Sequence, residues 1–164
     1  QMSFPTELNL KKFDFGYKLT RNPVEEIKQL HDKHYSWEDE NLIPGINKNL
    51  VRRVKGDCLH IVGEFDKKTC NNFGFMIRKG RRDPGTELLY DARRGTISLL
   101  GSTAPVISAD STITLEILID RSSVEVFVNG GQTVISNCFK PAEGEEDLVL
   151  FTNGGEIEVI KLYI

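Results

Sequence analysis

Four charged side chains at the ends of predicted strands are the residues in this sequence best suited to bind a ligand. They are Glu64, Asp66, Arg78 and Asp91. Carboxylates and a guanidinium that converge can hold the hydroxyl groups of a polyhydroxylated ring, because they accept and donate charge-assisted hydrogen bonds. The alternative is a rim of exposed salt bridges, which contributes little to stability or binding. The sequence leaves both interpretations open.

The histidines and cysteines form no recognisable catalytic or metal-binding pattern. His31 and His34 are three residues apart but lack a helical pattern around them, and His60 lies far along the chain. The cysteines are Cys58, Cys70 and Cys138. Their odd number and the lack of a C-x-x-C pair predict neither a disulfide framework nor a zinc site. We therefore expect no metal and no cofactor, and a Cys58–Cys70 hairpin disulfide stays open as an alternative.

Trp37, the only tryptophan, lies in the least patterned part of the chain, residues 31–47. We predict that this part is a loop with one short strand around residues 35–37. An indole ring in such a loop either stacks on a sugar or anchors the loop to the core.

The composition indicates a single globular domain over residues 1–164. A net charge of −3 offers no basic excess for a nucleic acid partner. No apolar run reaches the length of about 20 residues that a membrane-spanning helix needs. The first residues already have the pattern of folded sequence, so we expect the chain to be an excised part of a larger protein.

Alternation of apolar and polar residues predicts β-strands throughout the chain. The predicted strands are 6–10, 17–21, 48–54, 57–66, 73–79, 86–91, 95–100, 104–109, 112–120, 123–128, 132–138, 147–152 and 156–163. Val124, Val126 and Val128 share one face, which we expect to be buried. Glu125 and Phe127 then face outward, either onto a neighbouring domain or at an ordinary edge strand.

One short helix is predicted near the N-terminus. Asn22 is a suitable N-cap and Pro23 a suitable first helical residue. Val24, Ile27 and Leu30 share a face that can pack on the sheets. Together with the strands, this predicts an all-β fold, an antiparallel two-sheet β-sandwich of concanavalin or jelly-roll type with one short N-terminal helix.

Five segments, in order, resemble the C-terminal β-sandwich of glycoside hydrolase family 32, the invertases, levanases and fructanases. The segments are Met2–Leu10, Leu19–Ile27, Phe73–Arg78, Leu89–Asp91 and Ile119–Phe127. The first is similar to the segment that follows the catalytic propeller in this family, and the last reads Ile-Asp-Arg-Ser-Ser-Val-Glu-Val-Phe. The resemblance covers nearly the whole chain.

The resemblance implies that the parent protein is a retaining hydrolase of β-fructosides such as sucrose, inulin or levan. Its Asp nucleophile and Glu general acid belong to an N-terminal five-bladed propeller whose motifs are absent from this sequence. Arg82-Asp83-Pro84 matches the R-D-P motif of the family only superficially, and we interpret it as a surface turn. We therefore expect no catalytic residue and no enzymatic activity in this fragment.

Three roles follow from the resemblance. In the first, the domain packs on the catalytic propeller of the same chain and stabilises it. In the second, it binds fructose, levan or inulin, as does the related family-66 carbohydrate-binding module, which recognises the terminal fructose of levan. A third, weaker alternative is that it dimerises the parent. We expect the parent to be secreted, periplasmic or at the cell surface through an N-terminal signal outside this sequence, and a cytoplasmic parent stays open.

Overall fold

The computed structural model describes residues 3–14, 16–46, 49–108, 110–140, 144 and 146–164. The strands are β1 Thr6–Phe13, β2 Gly16–Pro23, β3 Ser36–Leu42, β4 Leu59–Asp66, β5 Asn72–Lys79, β6 Thr86–Asp91, β7 Thr96–Leu99, β8 Ser102–Pro105, β9 Thr112–Asp120, β10 Ser123–Val128, β11 Thr133–Cys138, β12 Asp147–Asn153 and β13 Ile157–Tyr163. A six-residue 3₁₀ helix, Glu25–Leu30, lies between β2 and β3. None of the helical structure in these ranges has the length and apolar character needed to cross a membrane.

Two antiparallel sheets form a sandwich, as predicted. The larger sheet has six strands in the order β11-β10-β9-β4-β13-β3, and the smaller has five in the order β12-β5-β6-β7-β8. The remaining strands, β1 and β2, pair with each other as a separate hairpin. The predicted fold class is therefore confirmed.

The core lies between the two sheets and is rich in aromatic rings. The ring of Phe65, from the six-stranded sheet, lies 5.1 Å from that of Phe73 and 6.2 Å from that of Phe75, both from the five-stranded sheet. Phe73 in turn contacts Tyr90 at a centroid distance of 5.4 Å. Tilted and edge-on contacts of this kind add to the stabilisation that burial alone provides.

The outer face of β10 is also buried, because the N-terminal part of the chain covers it. Phe127 packs with Ile27 and Leu118, and Phe4 and Val24 lie against this small cluster. The residue pattern correctly placed Phe127 opposite the valine face of β10. However, β10 lies between β9 and β11, so the interpretation as an edge strand is wrong.

The predicted helix start is wrong. Asn22 and Pro23 belong to β2, where they pair with Glu7 and Thr6, and the 3₁₀ helix begins after Val24. Proline fits there because it ends the strand, where a missing N–H costs little. The helical face is also narrower than predicted, since Ile27 is buried whereas Leu30 is exposed.

The predicted strand at 48–54 is a turn over its described part. The side-chain oxygen of Asn49 accepts hydrogen bonds from the N–H groups of Val51 (3.3 Å) and Leu150 (3.2 Å), and its amide donates to the carbonyl of Leu148 (2.7 Å). Val51 and Val54 are both buried at a spacing of three, which suits a turn rather than a strand. Lys48, the first residue of the prediction, lies outside the described residues.

Two further elements differ from the prediction. The least patterned segment contains a full edge strand, β3, where only residues 35–37 were predicted as a strand. The prediction at 104–109 overlaps β8 by two residues, since β8 ends at Pro105 and Ala109 is outside the described residues. Leu100 and Gly101 adopt positive φ angles of 48° and 80°, so a tight hairpin turn joins β7 to β8 there.

Candidate functional site

The structure divides the four candidate residues between the two sheets. Glu64 and Asp66 lie on the outer face of β4, in the six-stranded sheet, whereas Arg78 and Asp91 lie on β5 and β6 of the five-stranded sheet. Asp91 pairs with Asn72, at the opposite end of β5 from Arg78. Six residues of strand separate the two positions, which is about 20 Å. Arg78 and Asp91 therefore cannot hold the same sugar ring.

The two aspartates stabilise local turns. Asp66 accepts a hydrogen bond from the N–H of Lys68 at 2.9 Å, and this bond is the largest cause of the lowered pKa of Asp66. Asp91 accepts bonds from the N–H groups of Arg93 and Arg94, both at 3.0 Å. Both carboxylates thus satisfy backbone groups at the ends of their strands.

Arg78 is a buried cation rather than part of an exposed cluster. The residue is 9% exposed, and its Nε and Nη1 atoms have no hydrogen-bond partner among the described residues. Its φ angle of 57° coincides with a register shift in the ladder between β5 and β12. Because the backbone is irregular at Arg78, its side chain does not point in the direction that regular alternation along the strand predicts.

Glu64 is the candidate residue that faces an open groove. This Glu64 groove has a volume of about 510 Å³, and its polar walls include Thr112, Thr114 and Gln132, with Phe13 as an aromatic wall. Thr114 lies directly across the β4–β9 ladder from Glu64. Within the described part of the chain, the Glu64 carboxylate has no hydrogen bond and no ion pair. The groove therefore offers a free acceptor beside hydroxyl groups.

The turn between β10 and β11 fixes one wall of the Glu64 groove. Asn129 has a φ angle of 50°, and its side chain accepts a bond from the N–H of Thr114 (3.0 Å) and donates to the carbonyl of Ile107 (3.1 Å). Gln132 Nε2 donates to the carbonyl of Asn129 at 3.1 Å. The Asn-Gly-Gly sequence at 129–131 is typical of such a turn, but it gives no sign that the turn borders a groove.

A chain of hydrogen bonds links three residues that the sequence did not connect. His31 Nε2 lies 3.0 Å from His60 Nδ1, and His60 Nε2 lies 2.8 Å from a carboxylate oxygen of Glu116. Burial is the largest cause of the lowered pKa of His31, followed by the charge of His60. Among the described residues, no group of three or more His, Cys, Asp or Glu side chains is arranged to hold a metal ion. The chain of bonds fastens the segment after the 3₁₀ helix to β4 and β9.

Cys58 and Cys70 are not bonded to each other, so the Cys58–Cys70 disulfide is not formed. Cys58 is exposed, yet the partial burial of its sulfur and a hydrogen bond from Sγ to Asp120 Oδ1 (3.5 Å) raise the pKa of its thiol. A raised pKa keeps the sulfur protonated at neutral pH and therefore unsuited to nucleophilic attack.

Arg82-Asp83-Pro84 lies in the exposed connection between β5 and β6, as its interpretation as a surface turn requires. The carbonyl of Asp83 accepts a bond from the N–H of Gly80 (3.0 Å), and its carboxylate accepts one from the N–H of Gly85 (2.8 Å). Asp83 is therefore occupied with the geometry of the turn.

An exposed apolar stripe lies on one face of the β1–β2 hairpin. This hairpin stripe consists of Leu8, Leu10, Tyr17 and Leu19, which are 63%, 69%, 71% and 58% exposed. Leu10 and Leu19 lie directly opposite each other in the ladder. Thr20 points to the other side of the hairpin and is fully buried. A contiguous apolar patch on an ordered element is typical of an interaction surface.

Comparisons with known proteins agree with this architecture. A family model described as "Glycosyl hydrolases family 32 C terminal" matches residues 24–164. A levanase of Bacillus subtilis is 29% identical over 99% of this chain, and a fructan beta-fructosidase of Streptococcus mutans is 28% identical over 93%. The exo-inulinase structure from Aspergillus awamori superposes on 98% of the chain with a TM-score of 0.84 at 22% identity.

The match concerns only part of each relative. The chain spans 26% of the Bacillus levanase, 12% of the Streptococcus enzyme and 35% of the Aspergillus inulinase chain. The fructan 1-exohydrolase IIa structure from Cichorium intybus is similar over 39% of its length, with a TM-score of 0.67 at 17% identity. Because the family model matches most of the chain and the sandwich fold agrees, this chain belongs to the C-terminal domain family of glycoside hydrolase family 32.

Proposed function

We propose that this domain is the non-catalytic C-terminal module of a β-fructosidase, and that it packs on the catalytic domain of the same polypeptide and stabilises it. The observation that carries the proposal is the hairpin stripe, Leu8, Leu10, Tyr17 and Leu19, which lies exposed on an ordered element. Burial of one such side chain contributes about 1.5–3 kcal/mol, so a partner that covers the stripe gains stability.

The position of the stripe supports a partner within the same polypeptide. The hairpin belongs to the segment that, by resemblance, follows the catalytic propeller. Arg21 fastens the hairpin to the sandwich, because its N–H donates to the carbonyl of Gly131 at 3.1 Å and its guanidinium pairs with Glu125 at 2.9 Å. A domain docked on the stripe is thereby connected to the whole sandwich.

Docking can be measured with the two parts of the parent enzyme as separate chains. We expect the wild-type domain to bind the catalytic part and raise its melting temperature. The double variant Leu10→Ser/Leu19→Ser should bind at least about tenfold more weakly, since it removes two apolar side chains from the interface. Leu100→Ser, an exposed leucine in the β7–β8 turn, is the control and should bind normally. Equal binding by both variants would contradict the proposal.

In this proposal, the catalytic part of the parent enzyme carries out the hydrolysis. We expect that part to release fructose with retention of anomeric configuration and the domain described here to release none from sucrose or inulin. Release of fructose by the pure domain would overturn its non-catalytic role. We also propose that the parent acts outside the cytoplasm, where a polymeric fructan is accessible, and fractionation of the source cells tests this location.

A second candidate function is the binding of fructan in the Glu64 groove. The observation that favours it is the Glu64 carboxylate, which has no partner among the described residues and lies beside Thr112 and Thr114 in a groove of about 510 Å³. A carboxylate and neighbouring hydroxyl groups provide the acceptors and donors that sugar hydroxyls require. Asp66 lies two residues further along β4 and can extend such a site, whereas Arg78 and Asp91 lie on the other sheet.

Calorimetric titration with levan and inulin oligosaccharides tests this second function. We expect saturable binding that Glu64→Gln weakens at least about fivefold, because the amide replaces a charged acceptor by a neutral one. Asp91→Asn is the matched control, since it makes the same chemical change on the five-stranded sheet, and it should bind as the wild type does. Equal affinity of the wild type and Glu64→Gln would exclude the groove as the site.

A further inference from the structure

A second groove, distinct from the Glu64 groove, lies between the edge strand β3 and the turn over residues 49–54. This Trp37 groove is lined by Tyr35, Ser36, Trp37, Leu50, Arg52 and Arg53. Its volume is about 330 Å³. Small-molecule sites typically enclose about 300–1,000 Å³, so the groove suits a ligand at the small end of that range.

The turn holds the two arginines at the rim of the groove. Val51 and Val54 are almost completely buried in the core on either side of Arg52 and Arg53, and Asn49 fastens the turn to β12 with two hydrogen bonds. Both arginines are exposed. In the ranges that the structure describes, neither guanidinium forms a hydrogen bond or an ion pair. Two cationic donor groups are therefore available beside the groove on a fixed backbone.

The aromatic wall is equally well anchored. Trp37 lies directly across the β3–β13 ladder from Leu162, a core residue, and both Trp37 and Tyr35 pack against the core. The two rings are nearly parallel, with an interplanar angle of 13° and a centroid distance of 6.2 Å. Each ring is only half-buried, so part of its surface remains open to the groove.

The chemistry of the lining selects the charge of the ligand. No Asp or Glu is among the described residues that line the groove, so it lacks the carboxylate acceptors that bind the hydroxyl groups of a neutral sugar. A guanidinium binds a carboxylate or phosphate through two parallel hydrogen bonds, and an aromatic ring stacks against the apolar face of a sugar ring.

We propose that the Trp37 groove binds a monosaccharide-sized ligand that carries a carboxylate or phosphate group. The anion lies against Arg52 and Arg53, and the sugar ring lies against Trp37 and Tyr35. This site differs in place and in ligand charge from the Glu64 groove, and it does not depend on the docking of the hairpin stripe.

Trp37 is the only tryptophan in the chain, so its fluorescence reports binding at this groove directly. The chain is titrated with fructose 6-phosphate, galacturonate and fructose at low ionic strength. We expect a saturable change in emission with at least one of the two anionic sugars, and at least about tenfold weaker binding of fructose, which lacks the charge. The stronger of the two anionic probes identifies phosphate or carboxylate as the preferred group.

Two matched double variants locate the anion. Arg52→Gln/Arg53→Gln should weaken binding of the anionic probe at least about tenfold. Arg81→Gln/Arg82→Gln makes the same change of net charge in the exposed β5–β6 connection and should bind as the wild type does. Circular dichroism checks that both variants are folded. The proposal is overturned if neither anion binds at millimolar concentration, if fructose binds equally well, or if the two double variants behave alike.

Discussion

The guanidinium of Arg21 lies 2.9 Å from the almost completely buried carboxylate of Glu125. This pair joins the N-terminal hairpin to the outer face of β10. Glu125 also accepts bonds from the N–H of Phe4 (2.7 Å) and from Ser136 Oγ (3.2 Å), and the guanidinium lies 5.9 Å from the ring centroid of Phe127. The N-terminal segment that covers β10 is thus held in place by the Glu125 carboxylate, which accepts hydrogen bonds from three groups.

Loss of this pair should destabilise the domain. Arg21→Met removes the cation and leaves the Glu125 charge buried, so we expect the free energy of unfolding to fall by about 2–4 kcal/mol. Lys28→Met, which breaks the exposed pair of Lys28 with Glu25, should change it by less than about 0.5 kcal/mol. Urea unfolding of both variants measures the difference in the free energy of unfolding. Equal effects would show that the buried pair contributes no more to stability than the exposed pair does.

The stability of the domain should fall in mild acid because of His31. Its lowered pKa, caused by burial and then by the nearby His60, His34 and Lys28, means that the unfolded chain binds the proton more readily. The contribution is intact above the ordinary histidine pKa of about 6.5, is lost progressively as the pH falls towards the lower folded-state pKa, and levels out below it. Glu116 lies on the far side of His60 from His31, with a carboxylate oxygen 2.8 Å from His60 Nε2.

Urea midpoints between about pH 7.5 and about pH 5 measure this dependence. We expect the midpoint of the wild type to decrease over that range and the midpoint of His31→Gln to decrease less. His34→Gln, which alters only a minor cause of the shift, should retain most of the decrease. The same slope in the wild type and in His31→Gln would rule out His31 as the group responsible.

Gly131 should tolerate no side chain, whereas its neighbour Gly130 should tolerate one at modest cost. Both have positive φ angles, 76° and 64°, so Gly→Ala costs about 1 kcal/mol of backbone strain at either position. A Cβ on Gly131 would also collide with the carbonyl of Arg21, whereas a Cβ on Gly130 meets only the end of Lys11. Thermal unfolding should therefore show a much larger loss of stability for Gly131→Ala than for Gly130→Ala. Equal losses would mean that the hairpin backbone shifts at little cost to make room for the Cβ.

The thiol of Cys58 should react slowly until its environment is changed. Partial burial and the bond to Asp120 raise its pKa, so Asp120→Asn should lower that pKa and accelerate alkylation at mildly alkaline pH. Peptide mapping after iodoacetamide treatment measures the rate at this cysteine alone. Asp110→Asn serves as the control and should leave the rate unchanged. No acceleration in Asp120→Asn would show that Asp120 does not restrain the thiol.

Strands such as β9 and β10 could be predicted because apolar residues alternate along a buried face. Val124, Val126 and Val128 alternate with polar or aromatic residues, and all three lie in the core as predicted. The turn at 49–54 could not be recognised in this way. The sequence around Val51 and Val54 resembles a strand, and the hydrogen bonds of Asn49 that hold the turn are not visible in it. Propensity gave no information about which distant backbone groups that side chain would reach.

The candidate site was less predictable, because it depends on topology. Arg78 and Asp91 lie near the C-terminal ends of two consecutive antiparallel strands, and these two ends lie at opposite ends of the strand pair. The separation of Arg78 and Asp91 follows from how β5 and β6 pair, which the residue types at these two positions do not reveal. The bonds from His31 to His60 and on to Glu116 span 29 and 56 residues of sequence, and they depend on the register between β4 and β9.

The acidic sequence of β3 has a consequence for self-association. Glu38, Asp39 and Glu40 lie on the exposed edge of the six-stranded sheet, and the φ angle of 53° at Asp39 interrupts the regular strand. Charge and a break in the backbone both hinder the addition of another strand, so this border of the sheet is protected against edge-to-edge aggregation. Two copies of the domain that meet in a crowded solution are thereby hindered from joining their sheets through β3.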